Sequence, residues 1–126
     1  MNGLLFDTDV LIDILRGNKK TLDQVQVLSK KYQEFYCSAI TIAEIFAGMK
    51  TQEETATKAL LNSLALIPVD GEVAQKAGGL KASTKTHTLW LDDCLIAASA
   101  ALNHLALATK NVKHYPFKGL KFEAVM

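Results

Sequence analysis

Cysteine and proline are scarce in this 126-residue chain, with two of each, and aromatic residues make up only 7%, with a single tryptophan. Cys37 and Cys94 show no CxxC spacing and no histidine cluster near either, which excludes a disulfide framework and argues against a zinc–thiolate site. Each lies in an apolar stretch that suits a buried free thiol. No apolar run approaches the roughly 18 residues of a membrane span. No basic segment followed by a hydrophobic one stands near the first residue, so no membrane association is expected and the expected location is the cytoplasm. Linkers, internal repeats and low-complexity segments are also missing, so residues 1–126 read as one domain. What remains is an ordinary globular balance, 49% hydrophobic and 21% charged, which excludes extended disorder.

The net charge is only +1, but the charges are unevenly spread. Residues 1–75 carry seven Lys/Arg against ten Asp/Glu, and residues 76–126 carry seven against three. An acidic half and a basic half can build one site together, an acidic centre rimmed by lysines that hold a phosphate backbone.

The stretch Leu4-Leu5-Phe6-Asp7-Thr8-Asp9-Val10-Leu11-Ile12-Asp13 organises the rest. Three consecutive apolar residues suit a short buried parallel strand, and carboxylates follow where that strand would end. Sites in open α/β sheets gather at that edge, which makes Asp7 the leading candidate. The alternative is that Thr8 or Asp9 caps a helix beginning at Val10 and Asp7 merely ends the strand.

Further along, apolar spacing predicts helices over residues 8–16, 21–33 and 52–65, with a strand at 35–38 and a short strand or extended link at 66–69. Thr41-Ile42-Ala43-Glu44 has the form of a capping box opening a helix that stops at Gly48. Asp70 is placed to cap a helix over 73–81, weakened at Gly78-Gly79, and residues 83–87 read as a polar loop. Asp92-Asp93 precede the most apolar helix, 94–102, which is expected at the centre of the core. A buried strand at 105–108, a turn at 116–119 and a last strand at 122–125 complete an α/β alternation. That order implies a mostly parallel sheet in a three-layer sandwich.

Asp7, Glu44, Asp92 and Asp93 all fall at strand ends or helix starts. Each has a local explanation, as a strand-end polar group, a capping-box glutamate or an acid favoured by a helix dipole. Brought together at one sheet edge, carboxylates repel unless a divalent cation neutralises them, and hard oxygen ligands suit Mg²⁺ or Mn²⁺.

Four segments in order resemble the PIN-domain ribonucleases, and among them the VapC-type toxins of toxin–antitoxin pairs. They are Phe6 through Asp13, Ser38 through Gly48, Asp93 through Ala100, and Leu107 through Tyr115. The resemblance implies a PIN-like α/β/α sandwich and metal-assisted hydrolysis of RNA phosphodiesters, leaving a 5′-phosphate and a 3′-hydroxyl. By position, Asp7, Glu44 and Asp93 correspond to the family's catalytic, metal-holding acids, for Mg²⁺ or Mn²⁺. Asp9, Asp92 and Thr109 correspond to supporting positions. Asn111 stands where the family often has a fourth acid, a departure that weakens the case for a second metal. Lys85, Lys110, Lys113, His114 and Lys118 are candidates for contacts to RNA. With so few aromatic residues near these segments, base stacking is not expected to dominate recognition.

The resemblance also implies a cognate antitoxin that blocks the acidic cleft, and a homodimer built on helix surface within residues 41–65. Two other functions compete. Asp7-Thr8-Asp9-Val10-Leu11 nearly matches the opening motif of haloacid dehalogenase-type phosphatases, with Asp7 as nucleophile and Asp9 as acid/base, although Leu11 departs from it. A non-catalytic module that binds RNA or protein is favoured by the missing fourth acid.

Overall fold

The structure, a computed structural model, describes residues 2–84 and 89–126. Leu4-Leu5-Phe6 lies in β1 (Gly3–Phe6), a strand buried along its whole length. An uninterrupted apolar run of this kind is stable only where both faces of a sheet are covered. The chain continues through α1 (Thr8–Leu15), α2 (Lys19–Lys31), β2 (Glu34–Ser38), α3 (Ala39–Gly48), a 3-10 turn (Thr51–Glu53) and α4 (Glu54–Asn62). Next come β3 (Ala65–Ile67), α5 (Gly71–Ser83), α6 (Leu91–Leu102), β4 (Ala106–Thr109), a second 3-10 turn (Val112–His114) and β5 (Phe122–Ala124). The sheet order is β3-β2-β1-β4-β5, and each pairing in it is parallel.

Strand side chains alternate between two cores, as a period of two demands. Leu4 and Phe6 of β1 pack with Val10, Leu11, Leu28 and Leu61, against α1, α2 and α4. Leu5 and Leu107 face the other way, onto Ile96, Ala97 and Ala100 of α6. Outside them α5 packs on α6 through Val73, Ala77, Cys94 and Ala98. The expected three-layer α/β sandwich is present, and α6 is its most buried helix. Cys37 and Cys94 are buried free thiols.

The strand order positions the site. From β1 the chain steps outward to β2 and β3, then returns to lay β4 on the other side of β1. Neighbouring strands whose connections leave in opposite directions open a crevice at their carboxyl ends. Here that crevice lies between β1 and β4, where Asp7 and Thr109 stand.

Three local expectations change. α1 begins at Thr8 as its spacing predicts, but Asp7, not Thr8 or Asp9, is the cap, its side chain accepting from the Thr8 amide. α3 begins at Ala39 under the cap of Ser38, so Thr41-Glu44 is not a capping box. The tertiary pull of a more favourable partner, Thr8, takes both side chains away from their own backbone. α5 runs unbroken through Gly78-Gly79, because Val73 and Ala77 anchor it on α6 and packing outweighs the low propensity of glycine. Asp70 caps that helix as expected, accepting from Val73 N at 2.9 Å. Of the polar loop expected at 83–87, Ser83 closes α5 and residues 85–87 lie outside the described residues.

Candidate active site

Asp7 ends β1 with its backbone still in the ladder, its N–H donating to Ala108 O at 2.9 Å. Its side chain is 7% exposed and fully engaged. Oδ1 accepts from Thr8 N at 2.8 Å, and Oδ2 accepts from Thr109 Oγ1 at 2.7 Å and Tyr115 Oη at 2.9 Å. One oxygen of this carboxylate caps α1, and the other is held by side chains from β4 and from the segment after it. Burial raises its pKa, the hydrogen bonds from Thr109, Tyr115 and Thr8 oppose that, and nearby Asp9 adds to the rise.

Glu44 enters from α3. Thr8 Oγ1 donates to Glu44 Oε1 at 2.6 Å and lies 2.9 Å from Thr41 Oγ1. Since the single Thr8 hydroxyl proton goes to the carboxylate, Thr41 is the donor to Thr8, and the three side chains form a relay that fixes Glu44. Burial, then a hydrogen bond with Asp92, pushes the Glu44 pKa up to about 7, with the charges of Asp92 and Asp7 adding to it against the Thr8 bond.

Asp92 and Asp93 open α6. Asp93 Oδ2 accepts from Trp90 N at 3.3 Å, and Asp92 Oδ1 accepts from Asp93 N at 3.0 Å, so both help satisfy orphan amides of the first turn. Burial raises the Asp93 pKa, joined by the charges of Asp92 and Asp7, and the Trp90 bond and nearby His114 oppose it.

These acids from three elements face one cavity of about 390 Å³, which Asp9, Trp90, Asn111, His114 and Tyr115 also line. Asn111 Nδ2 donates to Asp9 Oδ2 at 3.3 Å, and Asn111 N donates to Thr109 Oγ1 at 3.0 Å. Of the basic candidates, His114 borders the cavity. Lys113 and Lys118 are exposed and stand outside its lining. Lys110 forms an ion pair with Asp13 at 2.7 Å, and Lys85 lies outside the described residues. Sequence reasoning gives Tyr115 and Trp90 no site role and treats Thr8 and Thr41 as helix-capping candidates alone. Trp90 had a signal, an aromatic directly before the stretch that holds the paired acids, whereas nothing local marks Tyr115.

Among the described residues, no three His, Cys, Asp or Glu side chains are drawn together into a ready metal-binding group. The chemistry of the donor set nonetheless fits a hard divalent cation. The available donors are carboxylate oxygens, and Asp7, Glu44 and Asp93 all hold protons more tightly than in water because burial and like charge disfavour their ionised forms. A bound cation relieves both penalties.

A profile described as the PIN domain matches residues 4–119. The chain belongs to the PIN-domain family. This PIN domain is 37% identical over 121 residues to the ribonuclease VapC10 of Mycobacterium tuberculosis, covering 94% of this chain and 90% of that one. It is 29% identical over 114 residues to the ribonuclease VapC19 of the same organism, covering 89% and 91%. Among solved structures it resembles a toxin–antitoxin complex from Klebsiella pneumoniae, with a TM-score of 0.81, 27% identity and 98% of each chain covered. The PIN domain also shares its fold with VapBC2 of Rickettsia felis, solved bound to a promoter DNA fragment, at a TM-score of 0.80, 21% identity, and 97% and 98% coverage. Family membership displaces the phosphatase alternative built on Asp7 and Asp9.

Proposed function

We propose that this PIN domain is a metal-dependent endoribonuclease, the toxin of a toxin–antitoxin pair, with residues 1–126 acting as one catalytic domain. The observation that carries the proposal is the convergence of Asp7, Glu44 and Asp93, from β1, α3 and α6, on one cavity at the switch point of the sheet. Its support from relatives is the ribonuclease name of VapC10, at 37% identity over nearly the full chain.

Mg²⁺ or Mn²⁺ held by Asp7, Glu44 and Asp93 would help ionise an attacking water and stabilise charge gathering on the phosphate. The protein's own contribution is positioning. Thr109, Tyr115 and Thr8 hold Asp7 in one orientation, the Thr41–Thr8 relay holds Glu44, and the Trp90 amide holds Asp93. Asp92 and Asp9 add negative charge that repels RNA from the metal-free cavity, and Asn111 limits that charge. Lys113 and Lys118, beyond the cavity, supply positive charge for phosphates, and the His114 imidazole at the cavity offers a hydrogen bond. Such a protein works in the cytoplasm. Its antitoxin would neutralise it by covering the acidic cavity, in keeping with the Klebsiella pneumoniae neighbour being a toxin–antitoxin complex. Its homodimer would use helix surface within 41–65, where Phe46 is exposed.

The test is cleavage of a mixed structured-RNA pool with Mg²⁺, Mn²⁺ or EDTA, alongside Asp7→Asn and Asp93→Asn. Metal-dependent cuts ending in 5′-phosphates, lost in both variants, are expected. RNA that binds but stays intact in every metal would point instead to the non-catalytic binding module. Asn111 in place of an acid favours that second reading, and Asn111→Asp is the variant that would then be tested for cleavage.

A further inference from the structure

We propose that the Trp90 indole is a stacking platform for one RNA base, next to the phosphate that occupies the acidic cavity; this rests on the nuclease reading of that cavity. Trp90 is the chain's one tryptophan and is 69% exposed, although a buried Leu89 directly precedes it. It lines the same cavity as Asp7, Glu44 and Asp93.

The peptide unit that leads into it is pinned at both its polar groups. The amide of Trp90 donates to Asp93 Oδ2 at 3.3 Å, and the carbonyl of the preceding Leu89 accepts from Lys81 Nζ at 2.6 Å. Leu89 itself is 1% exposed. The indole therefore projects from an anchored backbone tied to one of the cavity's carboxylates. Asn111 and His114, from the segment after β4, border the same cavity.

An acidic cavity by itself attracts a polyanion poorly, so contacts that do not depend on charge add to what the surrounding lysines and a bound cation supply. A neutral π face supplies one, and every base presents a face to match it. Single-stranded RNA offers unstacked bases on either side of the phosphate being cut. The scarcity of aromatics in the sequence therefore does not rule out stacking, because the lone tryptophan stands at the cavity's edge.

Being unique, the residue reports on itself. Fluorescence of the Asp7→Asn variant is titrated with a mixed-sequence single-stranded oligoribonucleotide in Mg²⁺. In parallel, cleavage is compared for the unsubstituted chain, Trp90→Phe and Trp90→Ala. Quenching of the indole on binding is expected. So is a KM raised about tenfold in Trp90→Ala, within the roughly 5- to 150-fold range of one base–aromatic stack, with a much smaller change in kcat and most of the loss recovered in Trp90→Phe. On a substrate lacking the base beside the cut, the difference between Trp90 and Ala should vanish, which a merely structural role would not produce.

Unchanged fluorescence on bound RNA, or an unchanged KM in Trp90→Ala while the unsubstituted chain cleaves, overturns the proposal and leaves this rim to a protein partner. Quenching without cleavage keeps the stacking platform and removes the nuclease reading. Neither binding nor cleavage removes both.

Discussion

The Tyr115 hydroxyl donates to Asp7 Oδ2 across 2.9 Å, joining the segment after β4 to the end of the first strand over 108 positions. Tyr115 is buried, its ring tilted against Phe122 at 5.8 Å between centroids. Burial and the charge of Asp7 raise its pKa above the ordinary tyrosine value, so it remains a donor throughout the working range. Tyr115→Phe keeps the ring packing and removes one of the two donors to that oxygen. Loss of one net hydrogen bond is worth about 1 kcal/mol of stability. If Asp7 is a metal ligand, the larger effect should be functional: a several-fold increase in the Mg²⁺ needed for half-maximal cleavage, read from metal titrations of the two proteins.

Crowded acids weaken the metal-free fold. The Glu44 pKa stands near 7 when folded, against an ordinary 4.5, so the folded state binds the extra proton between those values. Stability is therefore lost as pH rises from about 4.5 through 7, and the penalty is complete above 7. Glu44→Gln should raise the melting temperature in EDTA at pH 8 and leave it nearly unchanged at pH 4. The same variant should lose most of the Mg²⁺-induced thermal shift. Melting curves at two pH values, with and without metal, check both signs.

Asp13 illustrates the opposite shift. A hydrogen bond from Lys110 is the main cause lowering its pKa, burial opposes it, and Thr21 and the charges of Lys110 and Arg16 lower it further. A depressed carboxylate stabilises above its unfolded pKa and loses that contribution as pH falls through the folded value. Asp13→Asn should thus cost about 1 kcal/mol at pH 7, the scale of a partly exposed ion pair, with the difference from the parent shrinking below about pH 4. Denaturant melts across that range measure it. Because Lys110 is held by Asp13 at 2.7 Å, Lys110→Ala should lose stability by a similar amount, whereas RNA affinity should respond more to His114→Ala.

His104 carries the described residues' one positive φ outside glycine, at 54°. It follows the end of α6, where Leu105 N donates to Ala100 O at 2.9 Å and closes the helix. A β-carbon is unfavourable in this left-handed position and glycine relieves it. His104 is exposed, so His104→Gly should stabilise the fold by about 1 kcal/mol with cleavage unaffected. Thermal melting and a nuclease assay on the same preparation decide this.

The amino-acid sequence carries whatever neighbours along the chain control. The apolar triplet at 4–6 made a buried strand, helical spacing marked α1, α2 and α6, Asp70 capped α5, and α/β alternation required a parallel sheet. It also put Asp7, Asp92 and Asp93 at element boundaries, where rigid backbone can present a carboxylate, whereas Glu44, expected at a helix start, stands in the middle of α3. The tertiary structure decided which of these groups meet and what each is paired with. Thr41 and Glu44 look like a capping box until Thr8, 33 and 36 positions away, claims both. Lys110 looks like a free phosphate contact until Asp13, 97 positions away, binds it. Tyr115 ends a segment similar to the family's but has no role assigned to it until strand order brings its hydroxyl to Asp7, and Trp90 has none until its indole is found in solvent beside the acids. Local propensity acts over three or four residues, whereas these pairings follow from the order of strands in the sheet, and no short stretch of sequence encodes that order.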